Sequence, residues 1–537
     1  MNLKLHRFPA LALVAVLAAC QGDLLDSRPT DSLNDAIFWQ SERDAVNAVN
    51  ALYPFLPGQG EMQWDMMSDI GHTTNTAAQT ASVERGTHNA EMGLIGNTWD
   101  NAYQGIRAAN YFLENLPRVL ENDPSMSTEL AARLEAEARF IRAFLYARLV
   151  MLYGDVPLVT HTLTLEESKQ VTRAPADEVW DYISSELQEV AEVLPESYPS
   201  SDIGRITRGA AHAMRARAML YAGRWQEAAE AAKAVMDMGV YSLHPSYEDL
   251  FTYAGEGNAE VILDRQYAQD VAANSFFQSF GPRGMNGSVG ISPTRTLVDA
   301  YETINGLPID EDPEYDPLNP YANRDPRLDY TLFLPAFSDD VPGELLYNGQ
   351  EYDPRPGSGT ADEVEVDFQR TKTGFNTQKY VLPEDMNDRS NGGTNFILIR
   401  YADVLLMYAE AKIELGEIDQ SVYDAINAVR QRPDVGLPPI EPGKSQEEMR
   451  EIVRRERTVE LAMEGLRFFD IRRWRTADEV MPGPIPGMRY IRSGETEVRT
   501  LTYGGVVRAF NPDRDYLWPI PQQERVLNPN LTQNPGY

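Results

Sequence analysis

Apolar residues recur at steps of three and four through much of the chain, and that spacing predicts helices. Between Asp100 and Leu116, Tyr103, Ile106, Ala109 and Leu113 fall on one face. Glu129 to Tyr153 carries Phe140, Phe144, Ala147 and Met151 on one stripe, with Gly154 and Pro157 as stops. A third helix runs to Leu194 with Asp177 as its N-cap, Val179, Ile183, Leu187 and Val190 in register, and Pro195 ending it. Gly209–Ala222 and Trp225–Met238 form a helical pair about Gly223, and Tyr401–Leu415 and Ser421–Gln431 form another about Gly416. Ser445–Phe469 reads as one last long helix.

The two pairs share a pattern. Each glycine follows an alanine-rich helix, and an alanine falls nine residues later, Ala232 in one and Ala425 in the other. Small residues allow close packing and the glycine allows the reversal, the logic of a tetratricopeptide-type repeat. Ala143–Gly154 is a less complete third copy. Polar, Pro- and Gly-rich stretches lie between the helices, notably Glu61–Asn97, Asn274–Pro293, Asp310–Arg327 and Ser338–Asp362. Loops of that length in a packed fold are functional or disordered. Short strands are expected at Val261–Leu263 and Phe396–Ile399. The fold class is mainly α, with tetratricopeptide-like helical pairs, long irregular loops and a few short strands.

The start of the chain is an address. Lys4, His6 and Arg7 precede the apolar run Phe8–Ala19, which is too short for a permanent transmembrane helix of about 20 residues and has the build of a secretory signal. Leu17-Ala-Ala-Cys20 looks like a bacterial lipobox, and Cys20 is the sole cysteine of the chain. Residues 1–19 are therefore read as a lipoprotein signal peptide and 20–36 as a tether from a lipid-modified Cys20. Multiple acyl chains suffice for stable anchoring.

Composition narrows the chemistry. The 537 residues are 42% hydrophobic and 24% charged, ordinary globular usage. A net charge of −33 argues against nucleic-acid binding, which needs a basic face. Only seven of the 48 basic residues are lysine. Acid-rich, lysine-poor composition fits a protein bathed in high salt, an expectation that salt-indifferent stability would remove. One cysteine excludes an internal disulfide, a multi-cysteine zinc site and, once acylated, a thiol nucleophile. His72, His88, His161, His212 and His244 show no metalloprotease spacing, and no hydrolase elbow, P-loop or dinucleotide fingerprint occurs. Asp310, Asp312 and Asp316 resemble the start of a calcium loop, but Tyr315 stands where such a loop needs glycine, so they read as a solvated acidic loop. No cofactor, metal or catalytic residue is expected.

Several segments resemble the SusD/RagB family of outer-membrane nutrient-binding lipoproteins. They are Arg400–Ala411 (Arg-Tyr-Ala-Asp-Val-Leu-Leu-Met-Tyr-Ala-Glu-Ala), Arg454–Trp474, Tyr516–Gln522 with the ending Leu527–Tyr537, and Asn305–Pro308 followed by Asn323–Leu328. Cys20–Asp26 with Pro29 looks like the family's mature start, and Trp99, Tyr103, Ile106 and Asn110 match its first helix. The resemblance spans the mature chain in the family's order. It implies a helical frame of tetratricopeptide-like pairs, an N-terminal half at 37–250, and a C-terminal half at 251–537 with ligand loops. It implies a binder, not an enzyme, that captures an oligosaccharide and sometimes a peptide at the cell surface. It also implies delivery to a SusC-like TonB-dependent transporter. A surface glycosidase and a protein-binding repeat scaffold are the other readings.

Glu456, Arg457, Glu460, Glu464, Arg467, Asp470 and Arg472 recur at helical spacing and read as a paired-charge network fastening the last helix, with Trp99 and Trp474 in the core. Family ligand groups come from a loop before the first helix and from the middle of the chain, matching Glu61–Asn97 and Asn274–Arg295. A sugar needs an aromatic face plus planar polar groups for its hydroxyls. The candidates are Trp64, Asp69, His72, Asn75 and Arg85 in the first region, and Phe276, Phe277, Phe280 and Arg283 in the second. The alternative for the phenylalanines is packing beneath a loop. Their region offers no Trp or Tyr until Tyr301, which keeps a peptide ligand open.

Overall fold

The computed structural model describes residues 38–364 and 369–537; the signal segment, Cys20 and the tether lie outside the described residues. Among the described residues, ten longer helices carry the frame: α1 (Glu42–Asn50), α2 (Gly93–Asn122), α3 (Thr128–Tyr153), α4 (Ala176–Val193), α5 (Arg208–Tyr221), α6 (Trp225–Met238), α7 (Tyr401–Glu414), α8 (Gln420–Arg430), α9 (Gln446–Glu460) and α10 (Arg467–Arg473). Helices α2 to α7 pack in series, each on the next, and α7 also carries α8 and α9. The stack therefore continues across the 160-odd residues that separate α6 from α7 in sequence, because the apolar face of α6 finds α7 rather than a sequence neighbour.

Local chemistry sets the ends. Ser127, Thr207 and Ser445 cap α3, α5 and α9, the last in a full capping box with Glu448. Gly223 (φ +72°) and Gly416 (φ +74°) make the reversals that the repeat pattern requires. Helix α3 is buried nearly all round from Ala136 to Val150, because α2 and α4 flank it.

Four readings need correction. Helix α2 continues through Pro117 to Asn122; burial of Leu116 and Val119 offsets the one backbone bond that proline removes. Pro175, not Asp177, stands at the N-cap of α4, and Asp177 lies in its acidic first turn. The last long helix is two: it stops at Glu460, Met463 (φ +61°) and Gly465 (φ +81°) turn the chain, and α10 begins at Arg467. Trp474 is half-buried instead of core, donating from Nε1 to Glu410 at 2.7 Å, whereas Trp99 is buried.

Among the described residues, eight strands form four antiparallel pairs: β1 (Gly71–Thr73) with β3 (Ile291–Pro293), β2 (Val261–Arg265) with β6 (Phe396–Arg400), β4 (Leu332–Phe333) with β5 (Asn376–Thr377), and the longer β7 (Gly483–Ile491) with β8 (Val498–Arg508). The two strands read from the sequence pair with each other, Leu263 opposite Ile399.

A buried charge network joins the C-terminal helices to the inserted loops. Glu460 accepts from Arg400 (2.6 Å), Arg432 (2.9 Å) and Arg327 (2.8 Å), and Glu464 from Arg400 and Lys379. Glu456 accepts from Arg327 and Arg430, and Arg457 pairs with Asp403 and Asp470. The helical-spacing reading holds for these residues. Arg472 is the exception: it makes no ion pair among the described residues and donates to the Phe468 carbonyl instead.

Candidate functional site: a cleft beside the first loop

The segment before α2 is pinned by its acids. Asp65 accepts from the backbone N–H groups of Gly465 (3.0 Å) and Arg467 (3.2 Å), so it serves the free donors at the start of α10. Burial pushes its carboxyl up to about 7 despite those bonds. Asp69 receives both arms of the Arg467 guanidinium at 2.8 Å. Glu61 pairs with Arg148 of α3 and accepts from Trp64 Nε1 at 3.2 Å.

Trp64 is packed among rings and a guanidinium. Phe468, Phe469 and Trp518 lie 5.0–5.4 Å from its ring, and the Arg148 guanidinium lies 5.2 Å over it. At 8% exposure it offers no open platform to a sugar, and only part of it reaches a cleft of about 620 Å³. The exposed amides Asn97 and Asn101, one helical turn apart on α2, line that cleft. So do Arg148, Arg265 and the half-buried Tyr267. Tyr267 is fixed at its hydroxyl, which accepts from the Gln59 N–H at 2.9 Å, and at its ring, which meets Phe276 edge-on at 6.2 Å. Amides and a phenol beside a guanidinium suit a polyhydroxylated ligand.

The other candidates divide by burial. Strand pairing sets Thr73 opposite Ile291, so the chain leaves β1 toward Asn75 beside the residues preceding β3, and the two candidate regions adjoin there; a short helix over Gln79–Glu84 follows. Asn75 is exposed there, accepting from the Ala77 N–H; Arg85 is half-buried and donates to the Thr76 carbonyl; Arg283 is half-buried. Asp69 and His72 lie buried in pairs with other side chains, Asp69 with Arg467. His72 is wholly buried with Nδ1 3.0 Å from Glu84, which also holds Arg508. Phe276, Phe277 and Phe280 are buried as well, so the packing alternative describes them, with Phe276 backing Tyr267. Asp312 of the acidic loop accepts from Thr303 and Asn305 side chains. Asn97, Asn101, Arg148, Arg265 and Tyr267 were not candidates. Only the four-residue spacing of the two asparagines was legible, and polar spacing on a helix ordinarily marks a solvated face.

A helical-repeat frame with a polar cleft between its helices and loops has the architecture of a binding protein. Comparison with known proteins carries this to a family. Residues 251–537 match the model described as the SusD family, and residues 25–220 match one described as starch-binding associating with outer membrane. The chain belongs to the SusD family. It is 26% identical to SusD-like protein P25 of Formosa agariphila, over 96% of each chain. A SusD-like carbohydrate binding protein from Bacteroides fragilis shares 31% identity and superposes with a TM-score of 0.84, covering 92% of this chain and all of that one. A laminarin binding SusD-like protein has the same fold at 24% identity, with a TM-score of 0.70, covering 93% of this chain and all of that one. Of the two matching descriptions, the second names starch binding and association with the outer membrane, and neither is that of an enzyme. No helix among the described residues is long and apolar enough to cross a membrane.

Proposed function

We propose that this chain captures an oligosaccharide or polysaccharide at the cell surface and delivers it to a SusC-like TonB-dependent transporter, without cleaving it. It hangs from the outer membrane by a lipid on Cys20, with 20–36 as the tether and 37–250 and 251–537 as the two halves of the binding body. The observation that carries the reading is the 620 Å³ cleft, where exposed Asn97 and Asn101 share one space with Tyr267, Arg148 and Arg265. Such a set can bond ring hydroxyls through the amides and cover a pyranose face with the phenol. The carbohydrate-binding description of the Bacteroides fragilis relative supports it.

The test is retardation of purified residues 21–537 in gels containing single soluble polysaccharides, with peptide mixtures as the competing class. The expected outcome is retardation by one glycan class, weakened roughly tenfold in Asn97→Ala/Asn101→Ala, since two hydrogen bonds are removed. Both side chains are exposed, so the melting temperature stays unchanged. Unaltered affinity in the double variant removes the cleft from the site. Binding of peptides alone moves the ligand class while keeping the fold and the transporter.

A further inference from the structure

A second cleft, of about 500 Å³, lies between the ends of α3, α4 and α5 on one side and α10 with the C-terminal segment on the other. Its charge runs against that of the molecule. In a chain of net charge −33, it is lined by Arg173, Arg472, Arg473 and Arg475, with Asp155 as the one carboxylate in its wall. Arg473 is compensated by Glu410, at 2.5 and 2.7 Å, and by Asp470. The other three form no ion pair among the described residues. Arg173 donates only to neutral oxygens, the carbonyls of Tyr153, Asp155 and Thr532, the Thr532 hydroxyl and the Asn534 amide. Arg475 is exposed, its guanidinium 4.2 Å over the Tyr516 ring.

Two walls of this cleft also hold buried donors that nothing satisfies. Arg472 is 8% exposed, stacked 3.4 Å from the Phe468 ring centre, and its Nε has no hydrogen-bond partner. The Tyr221 hydroxyl is likewise buried and unpartnered. Buried donors of this kind cost stability unless an acceptor arrives; the buried Asp515 carboxylate acts on the Arg472 charge from beyond ion-pair distance and leaves its Nε unbonded. Burial pulls the Arg472 guanidinium down to about 9, so it still carries its charge at neutral pH.

We infer that this second cleft is a subsite for the anionic group of an acidic saccharide, a carboxylate or a sulfate ester, held by Arg472, Arg475 and Arg173 with the Tyr221 hydroxyl as a neutral donor. Planar guanidinium forks match both oxyanions, and their charge-assisted bonds are about twice as strong as neutral ones. Trp180 and Tyr516 supply apolar wall for the sugar ring beside them. The inference rests on the glycan-binding reading and narrows it to a class of glycan.

The test is titration calorimetry of residues 21–537 with four probes: digalacturonate, a galactose-4-sulfate disaccharide, neutral digalactose and inorganic sulfate. At least one acidic disaccharide is expected to bind about tenfold or more tightly than digalactose in dilute buffer, with the gap narrowing in 1 M NaCl as screening predicts. Which acid shows the gap distinguishes uronate from sulfate ester. Arg475→Gln, at an exposed position, is expected to close most of the gap with an unchanged melting temperature. Asn97→Ala/Asn101→Ala is expected to leave this gap, because both asparagines line the other cleft. Equal affinity for neutral and acidic disaccharides, or a gap that survives Arg475→Gln, overturns the subsite while the glycan reading stands. Binding of inorganic sulfate with no preference among disaccharides overturns it too, as a bare ion site. Silence toward every saccharide, here and in the polysaccharide gels, overturns both.

Discussion

Trp64 is packed among three aromatic rings and Arg148, and that decides what a substitution there reports. Removing the ring leaves a cavity among Phe468, Phe469 and Trp518. Aromatic-to-alanine changes in such settings cost about 3–5 kcal/mol. Trp64→Ala is therefore expected to lower the unfolding free energy extrapolated from urea denaturation by that amount, and any loss of glycan affinity then follows from a disturbed cleft. A loss under about 1 kcal/mol would contradict the packed description. The sequence points the other way for a physical reason. A tryptophan in a polar stretch without periodicity looks free to meet a ligand, and the rings that cover it come from α10 and the C-terminal segment, some 400 residues on. Asp69 and His72 mislead similarly: as residue types they suit a binding site, yet Arg467 and Glu84 consume them in buried pairs. Local pattern carries no information about such partners. The acids and arginines of α9 were legible as a network because their own spacing is helical, while Glu260, Arg400 and Arg432, which complete it, belong to other elements.

Among the elements, the turn between α9 and α10 shows where periodicity stops informing. Apolar and charged residues continue in helical register through Leu461 and Phe469, so one helix is the natural reading. The chain reverses because Gly465 is pressed against the first loop: a Cβ there would lie 2.1 Å from the Glu61 carbonyl oxygen, and its φ is +81°. Asp65 then receives the freed N–H groups of Gly465 and Arg467. Gly465→Ala forces either the turn or the Glu61–Trp64 segment to move. It is expected to destabilise the fold by at least about 1–3 kcal/mol, the usual cost of a strained backbone position, and to weaken glycan binding in the same variant, because Glu61 and Trp64 border the cleft. Calorimetric melting with the gel assay checks both, and wild-type values for both contradict the coupling. The helical pairs about Gly223 and Gly416 were legible because helix, turn and helix are each written in neighbouring residues. The β7–β8 hairpin was not, since Pro484 and Pro486 interrupt what would otherwise read as a strand.

Across the whole molecule, two opposed sets of buried carboxyls fix how stability depends on pH. In Asp403, burial raises the pKa but Arg217 and Arg457 outweigh it and hold the group near 2. Glu460 lies further below the carboxylate range under Arg400, Arg432 and Arg327, again against burial. Groups lowered in the folded state contribute stability that is complete above their unfolded values near 4 and is lost as pH falls toward 2. The second set is raised by burial: Asp65 to about 7, Asp264 to about 6 and Glu344 to about 8. Between pH 4 and those values the folded state binds more protons than the unfolded chain, so stability falls as pH rises. Lys379, lowered to about 8 chiefly by burial, has no effect below that pH and regains stability above it. The molecule's net charge of −33 adds self-repulsion as the acids ionise. Melting temperature at constant ionic strength is thus expected to peak near pH 4–5, drop steeply below 4, and decline gradually to pH 8. Asp65→Asn keeps an acceptor for one of the two N–H groups while removing the titration, so its profile flattens between pH 5 and 7 whatever its absolute stability. A wild-type curve that is level from pH 5 to 8, or a variant with the wild-type slope, would show that the raised carboxyls are not desolvated in solution. The same frame that holds the ligand loops would then have to be looser around them than the packing of α9, α10 and the first loop implies.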